Sequence, residues 1–297
     1  MTPTSRLRVE GWARAELDSP NMMREREWTR LYMHTRSLIT RASGKVRRLL
    51  AGQFGRRTLS IKTPVPIVSF TFDDAPVTAF REGRGILKQF GARATYYVSL
   101  GLLDAETEVG KIASVGDLAR AVDEGGELGC HTFDHLDAWH TSSTAFMASV
   151  ARNGQALHRI LPGARFTTFA YPKSGAKLSL KWALGNTFMC CRGGGQATNA
   201  DSADLNLLKA CFVDRRTGID TEFIRTLVDY NADRRGWLIL ETHDVAADPS
   251  PYGCTPEFLE AIVQYASRSG ALLLPVSEAC ARLMSSSSTE PRPDRTG

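Results

Sequence analysis

From residue 63 onwards the chain alternates short apolar segments with stretches of helical periodicity. Helical patterns lie at residues 80–90, 117–123, 143–161, 221–230 and 256–269, and Gly91, Gly125 and Gly270 follow three of them as stop signals. Segments with strand character lie at residues 67–72, 94–98, 127–130, 166–171, 187–191, 207–213, 237–242 and 271–274. Alternating strands and helices predict an α/β fold with a parallel sheet, and about eight such units favour a (β/α) barrel.

The charge of the chain is unevenly distributed. Residues 1–62 contain 14 Lys and Arg against 5 Asp and Glu, whereas the rest of the 297-residue chain contains 23 against 27. Because the body is slightly acidic, a nucleic-acid-binding function loses its main support. The first residues lack the apolar core of a secretory signal, and the six cysteines form no CxxC pair. We therefore expect a cytoplasmic protein with buried, reduced thiols.

Three regions are predicted from these patterns. Residues 1–62 form a basic amphipathic extension, residues 63–283 form the barrel domain, and residues 284–297 form a polar, disordered tail. In the extension, apolar residues recur among arginines at roughly helical spacing. The glycines at 44 and 52 interrupt this pattern, which favours a helix packed on the domain over a helix lying on an anionic membrane surface. The second interpretation would associate the protein with the inner face of the membrane.

The segment "VSFTFDDAP" ends a half-buried strand with two adjacent carboxylates, Asp73 and Asp74. Like charges repel, so water, a helix terminus or a cation must accompany them. Because the chemistry of such barrels gathers at the carboxyl ends of the strands, His131 and His243 are expected at the same rim.

The segment "CHTFDHLDAWH" places His131 and His135 four residues apart. On a helical turn these side chains share a face, so both can bind one ion. Two histidines and one carboxylate, with positions left open for water, are a catalytic ligand set for zinc or another divalent ion. The structural alternative is a pair of turn or capping aspartates beside solvated histidines.

Three segments taken together, "TFDD", "HTFDH" and "THD", with "FAYPKSG" before the last, resemble the polysaccharide deacetylases of carbohydrate esterase family 4. This family carries the NodB homology domain. The resemblance covers residues 63–283 and implies a distorted barrel of the NodB type that binds a divalent metal, by default zinc. The ligands it implies are Asp74, His131 and His135.

The same resemblance implies the catalytic roles. Asp73 is the general base that deprotonates the attacking water, and His243 is the general acid that protonates the leaving amine. The backbone N–H of Lys173, which follows Tyr171 and Pro172, donates to the oxyanion.

The sequence departs from the family pattern at two instructive positions. Ala170 stands where many members have the arginine that orients the base, and Arg192 is the candidate replacement because it follows a predicted strand. Glu241 stands where a leucine usually lines the acetyl pocket, with Leu240 one residue earlier. The predicted substrate contacts are Tyr171, Pro172, Leu240 and Arg192.

The function predicted from these observations is metal-dependent hydrolysis of N-acetyl groups. The substrate partner is an N-acetylglucosamine-containing oligo- or polysaccharide of the chitooligosaccharide or exopolysaccharide type. Two alternatives stay open: a degenerate member that binds glycan without turnover, and a barrel amidohydrolase that acts on small amides.

Overall fold

The computed structural model describes residues 44, 46–61 and 63–288 of the chain. The chain divides into two compact units, Met1–Leu50 and Ala51–Gly297. Of the first unit, residues 44 and 46–50 are described, and they are helical. Most of the predicted amphipathic extension therefore lies outside the described residues.

The strands of the second unit are short. They are β1 (Thr58–Ile61), β2 (Ile67–Phe72), β3 (Ala94–Val98), β4 (Glu106–Thr107), β5 (Gly110–Lys111), β6 (Glu127–Cys130), β7 (Thr168–Ala170), β8 (Cys190–Arg192), β9 (Asp201–Asp204), β10 (Cys211–Phe212), β11 (Trp237–Thr242) and β12 (Leu272–Leu273).

The helices follow the strands in the order predicted for βα units. They are α1 (Arg84–Gln89), α2 (Val115–Asp123), α3 (Ser143–Ile160), α4 (Leu178–Thr187), α5 (Thr221–Asp233), α6 (Pro256–Arg268) and α7 (Val276–Ser288). A π-helical turn, Ala79–Gly83, precedes α1. Four helices begin at a side-chain N-cap, supplied by Ser114, Ser142, Asp220 and Thr255.

The main sheet is parallel, with its strands in the order β10-β11-β2-β3-β6-β7-β8. Beyond β8, Leu208 forms a parallel bridge with Arg192, and its N–H donates to Cys191 O at 2.8 Å. Three residues later β10 pairs with β11 at the other end of the sheet. The segment from Leu208 to Phe212 thus contacts both ends, and the sheet curls into a distorted barrel. This confirms the predicted fold class.

The two faces of β2 differ in chemistry. Val68, Phe70 and Phe72 belong to a large apolar cluster that includes residues of the outer helices. Ser69 and Thr71 alternate with them and are buried on the other face, where Ser69 Oγ accepts a 3.0 Å hydrogen bond from a tryptophan side chain. Successive side chains of a strand point to opposite faces, so the next position on the polar, inner face after Thr71 is that of Asp73.

Two predicted boundaries need correction. Strand β1 pairs antiparallel with β9, and the Arg57 guanidinium donates to three carbonyls of the 185–189 segment. Residues 51–61 therefore belong to the barrel unit, whereas the sequence analysis placed them in an extension that ends at residue 62. At the other end, α7 continues to Ser288, past the predicted start of the tail at 284. Within this helix the hydroxyls of Ser285 and Ser286 donate to the carbonyls four residues back. Residues 289–297 lie outside the described residues.

A buried ammonium group ties the residues before β1 to the barrel. Lys181 Nζ, on α4, donates to Ala51 O at 2.5 Å, to Phe54 O at 2.9 Å and to Asp204 Oδ2 at 2.7 Å. The Lys181 side chain is fully buried and that of Asp204 nearly so. A buried ion pair is stable only when further hydrogen bonds satisfy both partners, and here two carbonyls do so for the ammonium.

The cysteines agree with the sequence-based expectation. All six cysteines are buried and unpaired. Within residues 44, 46–61 and 63–288, no helix has the length and apolarity needed to cross a bilayer.

We predict that Lys181→Met lowers the free energy of unfolding by about 3–5 kcal/mol, because Asp204 loses its buried countercharge. Urea denaturation followed by circular dichroism measures the change. The matched control is Lys88→Met, because the Lys88 side chain is 68% exposed and pairs only at the surface, which is worth less than about 1 kcal/mol. Equal losses in the two variants would contradict a clamping role for Lys181.

Candidate active site

Polar side chains from several strand ends meet at one rim of the barrel. Asp73 and Asp74 follow β2, His131 follows β6, Arg192 ends β8, and His243 follows β11. The strands that carry them belong to one curled sheet, so residues distant in the sequence come together at its rim. Convergence at the carboxyl ends of the strands is the arrangement expected of this architecture.

Asp74, His131 and His135 form a cluster whose ligand atoms all lie within 4.8 Å of one another. Asp74 Oδ1 is 3.5 Å from His131 Nε2 and 3.1 Å from His135 Nε2. This oxygen is buried and has no hydrogen-bond partner among the described residues. A carboxylate oxygen left without a partner and facing two imidazole nitrogens fits a divalent cation, which would accept all three lone pairs.

The tautomer of His131 supports the same assignment. Its Nδ1 lies 2.9 Å from Ala170 O, and because a carbonyl only accepts, Nδ1 must carry the proton. Nε2 therefore presents its lone pair to Asp74. Burial is the largest influence on this ring and lowers the pKa of His131 to about 3, so the imidazole is neutral at physiological pH. A metal-binding histidine is typically held in this way by a second hydrogen bond.

The two histidines converge through a loop, whereas the sequence analysis expected a helical turn. Residues 131–137 contain no helix, and Thr132 and His135 have positive φ angles of 62° and 52°. Leu136 N–H donates to Thr132 Oγ1 at 2.9 Å, which closes the turn. Asp74 also has a positive φ of 60°. Left-handed backbone at two of the three candidate ligands is strain of the kind that gathers at functional sites.

Arg192 connects the other carboxylates of the rim. Its Nη2 lies 2.5 Å from both oxygens of Asp73, and its Nη1 contacts Glu241 Oε2. All three side chains are buried. Burial favours the neutral acid, but the Arg192 charge, aided by His131 and His243, outweighs burial and lowers the pKa of Asp73. The base candidate is therefore held ionised and in a fixed orientation.

Glu241 was not predicted as part of the site. Burial raises its pKa, with Asp73 acting in the same direction and Arg192 opposing. The sequence does contain a signal for this residue. Glu241 lies two residues before His243, and alternate residues of a strand point to the same face.

His243 completes the rim on the other side of Asp74. Its Nε2 is 3.8 Å from Asp74 Oδ2, and its Nδ1 is 3.2 Å from Tyr252 O. The carbonyl again assigns the proton to Nδ1 and leaves Nε2 facing the cluster.

Lys173 lies in a tight turn that follows β7. Its φ is 56°, and the turn's hydrogen bonds come from Ser174 N–H and Gly175 N–H, which donate to Tyr171 O and Pro172 O. The turn itself therefore does not use the Lys173 amide. The Lys173 side chain is exposed, and its charge acts on both Asp74 and His135.

Three of the predicted substrate contacts are contradicted by their placement. The Tyr171 ring is buried in the core against Phe169, with its hydroxyl donating to Asn206 O at 3.3 Å. Leu240 lies on the outer face of β11, within the helix-facing apolar cluster. The Arg192 guanidinium is buried and occupied by Asp73 and Glu241, so it orients the base candidate and does not face substrate. Pro172 is buried at the start of the 172–174 turn and is left without support as a contact.

Comparison with known proteins identifies similar sequences and folds. Residues 60–186 match the family model described as polysaccharide deacetylase. This part of the chain is therefore similar to polysaccharide deacetylases, in agreement with the resemblance of the motifs. A gellan lyase from a Bacillus species is 30% identical over 104 residues, which are 35% of this chain but only 4% of that protein.

Solved structures share the fold at low sequence identity. The Xyl-CE4 domain of a multidomain xylanase from the hindgut metagenome of Trinervitermes trinervoides has a TM-score of 0.55 and 18% identity, over 78% of this chain and 96% of that one. A family 4 acetyl xylan esterase from Clostridium thermocellum, in complex with a cobalt ion, has a TM-score of 0.53 and 21% identity over 75% and 93%. The chitin deacetylase of Colletotrichum lindemuthianum has a TM-score of 0.52 and 20% identity over 75% and 89%. These similarities establish the fold.

We predict that the metal-free protein binds one Zn²⁺ and that His135→Ala weakens binding by more than about 100-fold, because a direct ligand is lost. Isothermal titration calorimetry measures the affinity. His140→Ala is the matched control, since His140 is an exposed histidine of the same segment that bonds Asp137. An unchanged affinity in His135→Ala would place the ion elsewhere.

We predict that Arg192→Met moves the acidic limb of the pH profile of kcat/KM to higher pH. The arginine lowers the pKa of Asp73, so its loss raises that pKa, and the base is then protonated at pH values where the wild-type carboxylate is ionised. The exposed Arg152→Met serves as control.

Because Arg192→Met leaves two buried carboxylates unpaired, the double variant Arg192→Met/Glu241→Leu separates stability from catalysis. It should recover stability and keep the shifted profile. An unshifted acidic limb in both variants would exclude Arg192 as the residue that controls the base.

Proposed function

We propose that this protein is a metal-dependent deacetylase that hydrolyses the N-acetyl groups of N-acetylglucosamine-containing oligo- or polysaccharides. The observation that carries the proposal is the convergence of Asp74, His131 and His135 around an unpartnered carboxylate oxygen, with an ionised Asp73 and His243 beside them. The match of residues 60–186 to the polysaccharide deacetylase family model supports it.

The residues that would hold the metal are Asp74, His131 and His135. One carboxylate and two imidazoles suit zinc as the default, and a cobalt ion is present in the acetyl xylan esterase of similar fold. A divalent ion there would supply Lewis acidity, which lowers the pKa of water toward neutrality and polarises a carbonyl oxygen.

Asp73 takes the proton of the attacking water. Its carboxylate is ionised at neutral pH, and the two contacts from Arg192 fix its plane. A positioned general base contributes on the order of 10²–10⁴-fold to the rate. Because Arg192 reaches Asp73 from the buried side, the carboxylate keeps its orientation when substrate enters.

His243 and Lys173 act on the acetyl group itself. An amine is a poor leaving group until it is protonated. His243 Nε2 faces the cluster from the side of Asp74 Oδ2. Once this nitrogen has taken up a proton, with the Nδ1–H held by Tyr252 O, it can deliver that proton to the amine. The N–H of Lys173, which its own turn does not use, donates to the oxygen of the tetrahedral intermediate.

The test is acetate release by the full chain after removal and return of metal. We expect release from chitooligosaccharides with Zn²⁺, Co²⁺ or Mn²⁺ and none with chelator. Asp73→Asn and His243→Asn should each lower kcat by about 10²–10⁴-fold while zinc binding persists. His140→Ala should retain activity.

Each alternative predicts a different result. Zinc binding without acetate release from any acetylated glycan would favour a glycan-binding member without turnover. Release from acetylated xylan alone would assign the protein to ester substrates. Activity on hydantoin-like compounds alone would identify an amidohydrolase. The cytoplasmic location expected from the sequence stays a prediction.

A further inference from the structure

Two long stretches of the chain contain no acidic residue. Residues 28–72 include nine Lys and Arg and residues 138–200 include seven, and neither stretch has an Asp or Glu. The structure brings the two together at Gly55 and α4: a Cβ on Gly55 would lie 3.3 Å from Leu178 Cδ1 and 3.6 Å from Trp182 Nε1. Phe54, Gly55, Arg56, Leu178 and Trp182 are called here the Trp182 surface.

The Trp182 surface exposes large apolar side chains. Trp182 is 66% exposed, Phe54 57% and Leu178 37%. Leu178 and Trp182 are four residues apart and share one face of α4, while the other face of this helix is buried through Leu180 and Leu184. Helix α4 is thus apolar on both faces, although the core needs only one. Exposed apolar side chains that lie together mark interaction surfaces.

The charges in the segments that form this surface have one sign. Arg56 is exposed, and Asp204, the acid that Lys181 and the Arg57 amide contact, is buried and already paired. An apolar surface with an exposed arginine at its edge and no acidic residue in its segments complements a partner that is both apolar and anionic. A bilayer containing acidic lipids has these two properties together.

We propose that the Trp182 surface docks on an anionic lipid bilayer. Trp182 and Phe54 would enter the boundary between headgroups and acyl chains, where aromatic side chains are favoured, and Arg56 would lie at the lipid phosphates. A glycan fits the surface less well, because Leu178 and Phe54 offer none of the hydrogen bonds that sugars require. The proposal does not depend on the deacetylase function.

The chain that leads into this surface has the same composition. In the first unit, taken by itself, Val46, Leu49 and Leu50 are 54%, 63% and 42% exposed. For this segment the sequence pattern favours a helix that packs on the domain and exposes only its charged face to water. The exposed apolar side chains of this segment, taken by itself, are a second and separate feature that suits contact with a bilayer.

The experiment is co-flotation of the full chain with vesicles of phosphatidylcholine, with and without about 30 mol% phosphatidylglycerol. We expect binding to the anionic vesicles, release by about 0.5 M NaCl, and at least about tenfold weaker binding for Phe54→Ser/Trp182→Ser. The matched control is Phe223→Ser, which removes a 44% exposed aromatic side chain from α5. Circular dichroism verifies that each variant is folded, as expected for exposed positions.

Three outcomes would overturn the proposal. One is the absence of flotation with anionic vesicles. Another is equal flotation of the double variant and the wild type, which would place the contact elsewhere. The third is binding to polygalacturonate with no binding to vesicles, which would make the surface a site for acidic glycan. Loss of acetate release in Phe54→Ser/Trp182→Ser free in solution is not expected, so failure of this proposal and failure of the enzymatic one are distinguishable.

Discussion

The rim of this barrel depends on one buried guanidinium. Asp73, Asp74 and Glu241 bring three carboxyl groups to the ends of adjoining strands, and Asp73 and Glu241 are buried while Asp74 is partly exposed. Such a concentration of acid is unfavourable unless cations compensate it. Arg192 contacts two of the three carboxyl groups, Asp73 and Glu241, and so compensates them without water. Burial opposes its charged form, but Asp73 and Glu241 outweigh burial and raise its pKa. Asp74, the third carboxyl, is left for the histidines and, on our proposal, a metal ion.

This division explains why adjacent aspartates have opposite pKa shifts. Asp73 faces Arg192, which outweighs burial and lowers its pKa. Asp74 has no such partner, so burial, reinforced by Asp73, raises its pKa to about 6 in spite of His243. The strand end places the two carboxylates in different environments, since adjacent residues point in different directions and Asp74 also has a left-handed backbone. On our proposal, Asp73 is thereby kept ready as a base, and Asp74 needs a cation to become fully ionised.

Much of the site could be predicted from the sequence. The parts that were not predicted escaped for physical reasons. Asp73, Asp74, His131 and His243 are found because they directly follow apolar strands, and strand ends meet at one rim. Leu240 and Tyr171 were misplaced because the family motif was transferred by position, whereas the face of a strand is decided by the register. Helix α4 was missed because it is apolar on both faces and has no helical periodicity to detect. Strand β1 was missed because its partner, β9, is over 140 residues away.

The position of Arg192 shows how the motif can change while the site is kept. Many members of the family resembled have an arginine at the position of Ala170, on β7. Ala170 and Arg192 are register partners on the adjacent strands β7 and β8, so the guanidinium has moved one strand sideways at the same height of the barrel. From β8 the side chain extends to Asp73 across the rim, and a long, mobile side chain needs a second fixed contact to hold one conformation. Glu241 provides it from β11, at the position where the leucine of the acetyl pocket is usual. On our proposal, alanine at 170 and glutamate at 241 are therefore linked through Arg192: its guanidinium, held by Glu241, orients the base candidate Asp73, and a buried carboxyl–guanidinium contact stands where an apolar side chain is usual.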